Sequence, residues 1–217
     1  KSRLTNVTCA GNHAAAQGGG IYGTQTDSLL IQNSVIAENS AEGVGAQIFI
    51  DDSLKTTFRS SLIQGSIGSG LWDNNIGTNL GGVIDVEPRF MNPAGGDYRL
   101  AYGSAAINAG ENALVSAPLL DLQGSNRVFG AVVDLGAYEF AVQCPAGTVL
   151  YVDSAAISGL NNGTSWGDAF RDLQAALSVC KICPNIRENW VANGTYYPTV
   201  GWDRRSSFGL MNNVAIY

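Results

Sequence analysis

The chain has 217 residues, 45% of them apolar and 14% charged, with 27 glycines, a formal net charge of −6 and a pI near 4.6. That is enough to bury one large or two small cores, and so much glycine with so little charge suits short strands and tight turns better than long helices. An acidic balance without a Lys/Arg cluster argues against nucleic acid and anionic membranes as partners. No apolar run reaches the roughly 20 residues that span a bilayer, so membrane insertion is not expected.

Lys1 opens directly onto a strand-like segment, with no signal peptide or initiator Met, so the chain reads as a mature or excised part of something longer. The first 66 residues repeat. Leu4-Thr-Asn-Val-Thr-Cys-Ala-Gly-Asn12, Ile31-Gln-Asn-Ser-Val-Ile-Ala-Glu-Asn39 and Phe58-Arg-Ser-Ser-Leu-Ile-Gln-Gly-Ser66 align at a constant offset of 27. Leu4, Ile31 and Phe58 share apolar character, as do Cys9, Ile36 and Ile63. Asn6, Asn33 and Ser60 share small polar character, as do Asn12, Asn39 and Ser66. A second half-unit, Gly18 to Tyr22, falls on Gly45 to Phe49, and the third copy loses it around Trp72.

Each unit has short apolar strands broken by Gly and Asn and lacks helical periodicity. One unit cannot bury its inner face alone. Stacking units would pair each strand with those above and below, with Asn ladders at turns that tolerate the left-handed region. Cys9 then reads as a small buried hydrophobe.

Beyond Asn74 the chain is rich in Gly, Pro and Asn. Glu87-Pro-Arg-Phe90, Gly96-Asp-Tyr-Arg-Leu100, Gly103-Ser-Ala-Ala-Ile-Asn-Ala-Gly110, Asp121-Leu-Gln-Gly-Ser-Asn-Arg127 and Asp134-Leu-Gly-Ala-Tyr-Glu-Phe140 follow in order. These five motifs resemble the choice-of-anchor-type module that closes β-helix domains in large bacterial surface proteins. Glu87, Ala105 and Asn108 depart from the usual Asp, Pro and Asp. From Leu150 onward, Leu150-Tyr-Val-Asp153, Asn161 to Trp166, Asp168 to Leu177, Trp190 to Thr199 and Asn213 to Tyr217 look like the start of another such domain. Asp168 is a candidate N-cap, and Phe170, Leu173, Leu177 and Cys180 give the following helix one apolar face, with Pro184 beyond its end.

The resemblance and the repeat together imply an all-β fold, a right-handed single-stranded parallel β-helix with one amphipathic capping helix in the C-terminal third. The expected divisions are repeat coils at 1–73, a closing module at 74–140, a linker at 141–147, and a cap helix with first coils of a second β-helix at 148–217. Four cysteines suit an oxidising compartment. A zinc or redox reading of Cys180-Lys-Ile-Cys183 is weak, because His13 is the only histidine to complete a zinc set and Cys180 falls at the end of a helix, not at the start of one after a strand. Placing Cys144 before the first strand and Cys180/Cys183 at the helix end predicts a Cys144–Cys183 disulfide, with Cys180 the next candidate and Cys9 free and buried.

Pectate-lyase-like enzymes share the expected fold, so carbohydrate chemistry has to be weighed. Asp51, Asp52, Asp73, Asp85 and Glu87 are the available carboxylates; Asp51 and Asp52 do not recur at the offset and read as solvated turn residues. His13 reads as a surface histidine. Asp121, Asp134 and Glu139 read as turn-forming and hydrogen-bonding groups, with Ca²⁺ the one ion considered there. Trp166, Trp190, Tyr196, Tyr197 and Trp202 read as core between helix and coil rather than as a stacking platform for sugars. The Asn6, Asn162 and Asn193 sequons read as idle.

No catalytic, cofactor or metal set is assigned. The expected function is a non-catalytic extracellular or cell-surface structural or adhesive protein. The alternative is a catalytic or auxiliary part of a polysaccharide-binding or polysaccharide-degrading protein. Expected partners are other copies of the chain, joined head to tail through Leu4 and Val7 on one side and Phe208, Leu210, Val214 and Ile216 on the other, with surface polysaccharide a further possibility.

Overall fold

The computed structural model describes residues 2–24, 28–51, 55–68, 70–116, 119–129, 131–141, 144–198 and 207–217. The chain divides into two compact units, one formed by 1–100 and 104–140, the other by 101–103 and 141–217.

In the first unit the repeats lie in parallel layers. The strands are β1 (Ser2–Thr5), β2 (Thr8–Ala10), β3 (His13–Ala14), β4 (Ile21–Gly23), β5 (Ser28–Gln32), β6 (Val35–Ala37), β7 (Ser40–Ala41), β8 (Ile48–Ile50), β9 (Lys55–Arg59), β10 (Leu62–Ile63) and β11 (Thr78–Asn79). β1 pairs with β5, β2 with β6, β3 with β7, β4 with β8, β5 with β9 and β6 with β10. Every one of these pairs is parallel, and the partners are 27 residues apart. Leu4 therefore lies beside Ile31 and Ile31 beside Phe58. A core of Ile31, Ile36, Ile48, Phe58, Ile63 and Val83 fills the interior.

Turn chemistry repeats with the same period. Asn6, Asn33 and Ser60 all take positive φ, at 55°, 46° and 43°. Asparagine enters this left-handed region more readily than most residues because its short polar side chain bonds locally. Gly18 and Gly45, also 27 apart, turn at φ 66° and 71°. The Asn ladder forms at Asn12, whose Nδ2 donates to Asn39 Oδ1 at 2.9 Å. In the other row Asn33 turns outward and exchanges hydrogen bonds with the main chain of Glu111.

The expectation of a continuous right-handed parallel β-helix is corrected by the structure. The strands are two to five residues long and form mostly separate sheets of two to four strands, joined by irregular chain, with one α-helix in all among the described residues. The period itself fails after three layers: β11 pairs with β9 with Thr78 opposite Thr57, an offset of 21. Trp72 marks the break. Its ring lies 5.1 Å from that of Phe58 and its Nε1 donates to Gly77 O, so an indole packs on the core just before the out-of-period strand.

The segment expected to close the end of the stack lies along its side. β12 (Phe90–Asn92) and β13 (Asp97–Leu100) form an antiparallel hairpin, and the chain from 104 to 140 is mainly turns. Phe90, Leu100, Ala106 and Leu135 bury against Val35, Ala37 and Leu62. Since Ile36 and Ile63 face the interior core, the sheet β2–β6–β10 is covered on both faces. Gly136, at φ 98°, lets the backbone come this close: a Cβ there would fall 2.6 Å from Thr8 Oγ1. Gly136 N–H bonds Asn33 O, and Ala137 N–H bonds Thr8 Oγ1 at 2.9 Å.

The second unit holds β14 (Val149–Val152), α1 (Leu173–Ile182), β15 (Glu188–Val191) and β16 (Ala215–Ile216), with the three strands parallel in the order β14–β15–β16. Leu150, Val152, Phe170, Ala176, Val179 and Ile186 make its core. The helix begins later than expected. Asp172 is the N-cap and accepts from Ala175 N at 3.2 Å. Asp168 instead closes a 3₁₀ turn and accepts from Leu160 N, and Phe170 forms a bridge with Val152 in place of a helical turn. Two Asp residues four apart offer the same cap, and pairing of Phe170 with β14 selects the second.

Cys144 and Cys183 form a disulfide. Cys180 is a free, buried thiol in contact with Asn189, and Cys9, expected to be buried, is half-buried. Closing a span of 39 residues should stabilise this unit by about 3–4 kcal/mol through chain entropy. Cys144→Ser is therefore expected to lower its unfolding free energy by about that amount, read by urea denaturation followed through tryptophan fluorescence.

Candidate functional site

Asp121, Arg127, Asp134 and Glu139 converge in the turns between 121 and 140. Asp121 Oδ1 accepts from Gln123 N and Ser125 N, and its Oδ2 accepts from Glu139 N. Arg127 donates through Nη2 and Nε to Glu139 Oε1 at 2.6 and 3.2 Å, and through Nη1 to Ala137 O. The two side chains are 5% and 0% exposed. Asp134 accepts from Asn108 N and Phe140 N, while its own N–H donates to Glu139.

Burial pushes the Asp134 carboxyl up to about 6, against the opposing pull of the two main-chain donors; Glu139 beside it adds to the rise. Burial also raises Glu139, opposed by Arg127. These carboxylates are engaged by main-chain donors and by one guanidinium, so the cluster is suited to fixing turns. Among the described residues, no group of three or more His, Cys, Asp or Glu is placed to hold a metal ion.

The other carboxylates lie apart and do local work. Asp73 caps a 3₁₀ turn, and Asp85 accepts from Gly65 N and Ile67 N. Glu87 is exposed, and Asp52 lies outside the described residues. Sequence reasoning overlooked Glu38, whose carboxyl is raised first by burial and then by neighbouring Glu87. Their positions, 49 apart in the chain, gave no signal of this. His13 is exposed and its Nδ1 lies 3.0 Å from Ser40 Oγ, its counterpart one layer on.

A cavity of about 240 Å³ in the first unit is lined by Thr5, Asn6, Leu120, Asp121, Leu122 and Arg127. Thr5 Oγ1 and Asn6 Nδ2 are buried without a hydrogen-bond partner.

The aromatic residues of the second unit are not placed as expected. Leu150 and Val152 point into the core, so Tyr151 between them faces outward, and it pairs in register with Trp190. Trp166 and Trp190 are 48% and 40% exposed, and Tyr197 is 71% exposed. Tyr196 packs against the core, and Trp202 lies outside the described residues. In the first unit, Tyr22 and Phe49 stack face to face, with centroids 5.5 Å apart.

Of the residues expected at an assembly interface, Leu4 and Val7 are half-buried in the first unit. In the second, Phe208 and Val214 are half-buried, whereas Leu210 and Ile216 are exposed. Among the described residues no helix is long and apolar enough to cross a membrane. Compared with protein-family models, curated proteins and solved structures, the chain gives no match.

Removing Arg127 alone would strand the Glu139 charge in the interior. Arg127→Met is expected to cost about 3–5 kcal/mol in urea denaturation, and the double variant Arg127→Met/Glu139→Leu to recover most of that loss. Asp134 binds its proton more tightly folded than unfolded, so its contribution is fully present below about pH 4 and is lost as pH rises through about 6. Stability measured from pH 7 down to 4 should therefore rise by up to about 3 kcal/mol on this account. Asp134→Asn, which has no proton to gain, should flatten that part of the profile.

Proposed function

We propose that this is a non-catalytic extracellular structural or adhesive protein, of the bacterial surface kind that the motifs between Glu87 and Phe140 resemble. The observation that supports it best is the parallel stacking of three repeats at one offset, which superimposes like side chains and spends main-chain donors and acceptors between layers. Such a stack is a stiff scaffold with regular rows of side chains on its surface. The Cys144–Cys183 disulfide is compatible with an oxidising, extracellular setting.

Stacking also supplies a mode of assembly. Among the described residues β1, β2, β3 and β4 are each hydrogen-bonded to a strand on one side only, and β16 likewise. A further layer, from another copy or from more of the same chain, can add to those edges. Addition of one copy's β16 side, with Phe208, Leu210, Val214 and Ile216, to another's β1 side, with Leu4 and Val7, is a heterologous contact and propagates into a filament.

Electron microscopy of the native material is expected to show fibres or arrays with an axial repeat of one copy; discrete monomers would end the assembly reading. Incubation with acidic polysaccharides is expected to yield neither unsaturated products nor new reducing ends. Turnover that disappears on substituting Asp51, Asp73 or Asp85 would overturn the non-catalytic reading.

A further inference from the structure

The outer face of the second unit's sheet carries a single line of aromatic rings. Its order follows from strand pairing. Tyr151 on β14 pairs with Trp190 on β15. On the other side of β14, Tyr151 N donates to Gly163 O and Phe170 N donates to Tyr151 O at 2.9 Å, so the segment holding Trp166 runs along that edge. On the far side of β15, Asn189 pairs with Ile216, which places Tyr217 beside Trp190, and Val191 N bonds Tyr217 O at 2.8 Å. The line is thus Trp166, Tyr151, Trp190, Tyr217. Ring centroids step 5.0 Å from Trp166 to Tyr151 and 5.7 Å from Tyr151 to Trp190, and the planes turn by 64° and 74°, each ring meeting the next edge to face. Trp166, Trp190 and Tyr217 are 48%, 40% and 71% exposed.

We propose that this aromatic line binds a neutral, linear polysaccharide laid across the strands. Solvent-facing aromatics at this density are unusual unless something covers them. Four features choose the occupant. Hexopyranose rings present flat faces of weakly positive C–H groups, which suit the negative faces of indole and phenol rings, and the steep turn between successive ring planes calls for a chain that twists from one sugar to the next. From Trp166 to Trp190 the rings advance by 5.0 and 5.7 Å, close to one strand spacing and to the width of one sugar unit. It is one residue wide, which fits a chain and not the broad patch of a protein partner.

Charge supplies the fourth. Glu188 Oε2 accepts from Trp190 Nε1 at 2.7 Å, so a carboxylate borders the line on a chain of net charge −6. Acidic glycans and nucleic acids, whose bases could also stack, are repelled by that charge. The Glu188 bond also fixes the indole of Trp190 while leaving its rings open. The stacked pair Tyr22 and Phe49 differs: its rings lie face to face with only 9° between planes, so each covers a face of the other. The glycan reading does not rest on head-to-tail assembly, and either can fail alone.

The test uses the full chain, with a β-1,4-linked glucose hexamer and insoluble cellulose as neutral probes and a galacturonic acid hexamer as the acidic one. Calorimetry and tryptophan fluorescence are expected to show saturable binding of the glucose hexamer and not of the acidic one. Trp190→Ala and Trp166→Ala should each weaken it by about tenfold, with the thermal midpoint little changed because both residues are half-exposed. If one variant fails to fold, the other carries the test, since Trp166 and Trp190 sit on separate segments. Glu188→Gln should keep the neutral ligand and weaken the exclusion of the acidic one. Absence of binding to both neutral probes, tighter binding of the acidic hexamer, or affinity unchanged in both tryptophan variants would overturn the proposal. Fibres that persist in Trp190→Ala would separate this site from the assembly edges.

Discussion

Hydrogen bonds running from one repeat to the next govern the first unit. Among its described residues no strand exceeds five residues, too short to stand alone, and none pairs with its neighbour in sequence except in the β12–β13 hairpin. Each strand from β1 to β10 finds a partner 27 residues away, so within those layers the length of a repeat has to stay constant. Once it does, like residues fall on like residues. Leu4, Ile31 and Phe58 bury together, and Asn6, Asn33 and Ser60 turn the chain through the same left-handed corner.

A second requirement follows from the composition of β6. Val35, Ile36 and Ala37 are all buried, so this strand cannot offer one face to water as an alternating strand would. The turns from 104 to 140 cover the outer face, and they do so with little regular structure of their own. Their order comes from side chains bonding to main chain: Asp121, Asp134 and Glu139 each accept from backbone N–H groups, and Arg127 ties two of the turns together. Ionised groups inside a protein carry a desolvation cost. Here that cost is met because loops without strands or helices have few other ways to satisfy buried backbone donors.

The period, its register and the left-handed Asn corners are legible in the sequence because they depend on neighbours at a fixed spacing. The Cys144–Cys183 bond is legible once the helix end and the first strand of the second unit are placed. What escapes is whatever depends on a choice between equivalent local signals. Asp168 and Asp172 both suit a helix start, and only the pairing of Phe170 with Val152 decides between them. Trp166 and Trp190 look like core from their size, yet alternation along β14 and β15 puts Tyr151 and Trp190 outside. The resemblance of the motifs between 87 and 140 implies a closing module, whereas Leu135 and Ala106 meet the flank of the stack. Sequence order gives no sign of that direction.

The 27-residue spacing reappears in the second unit, where Glu188 pairs with Ala215 and Asn189 with Ile216. A register set by spacing changes how such a gene can vary. Loss or gain of a single codon within a layer would move every later strand by one residue and turn its buried side chains toward water. Duplication of a whole 81-nucleotide block, three times 27, would instead add a layer whose two faces already match its neighbours. Length variation in this molecule should therefore come in whole layers, through recombination between repeats.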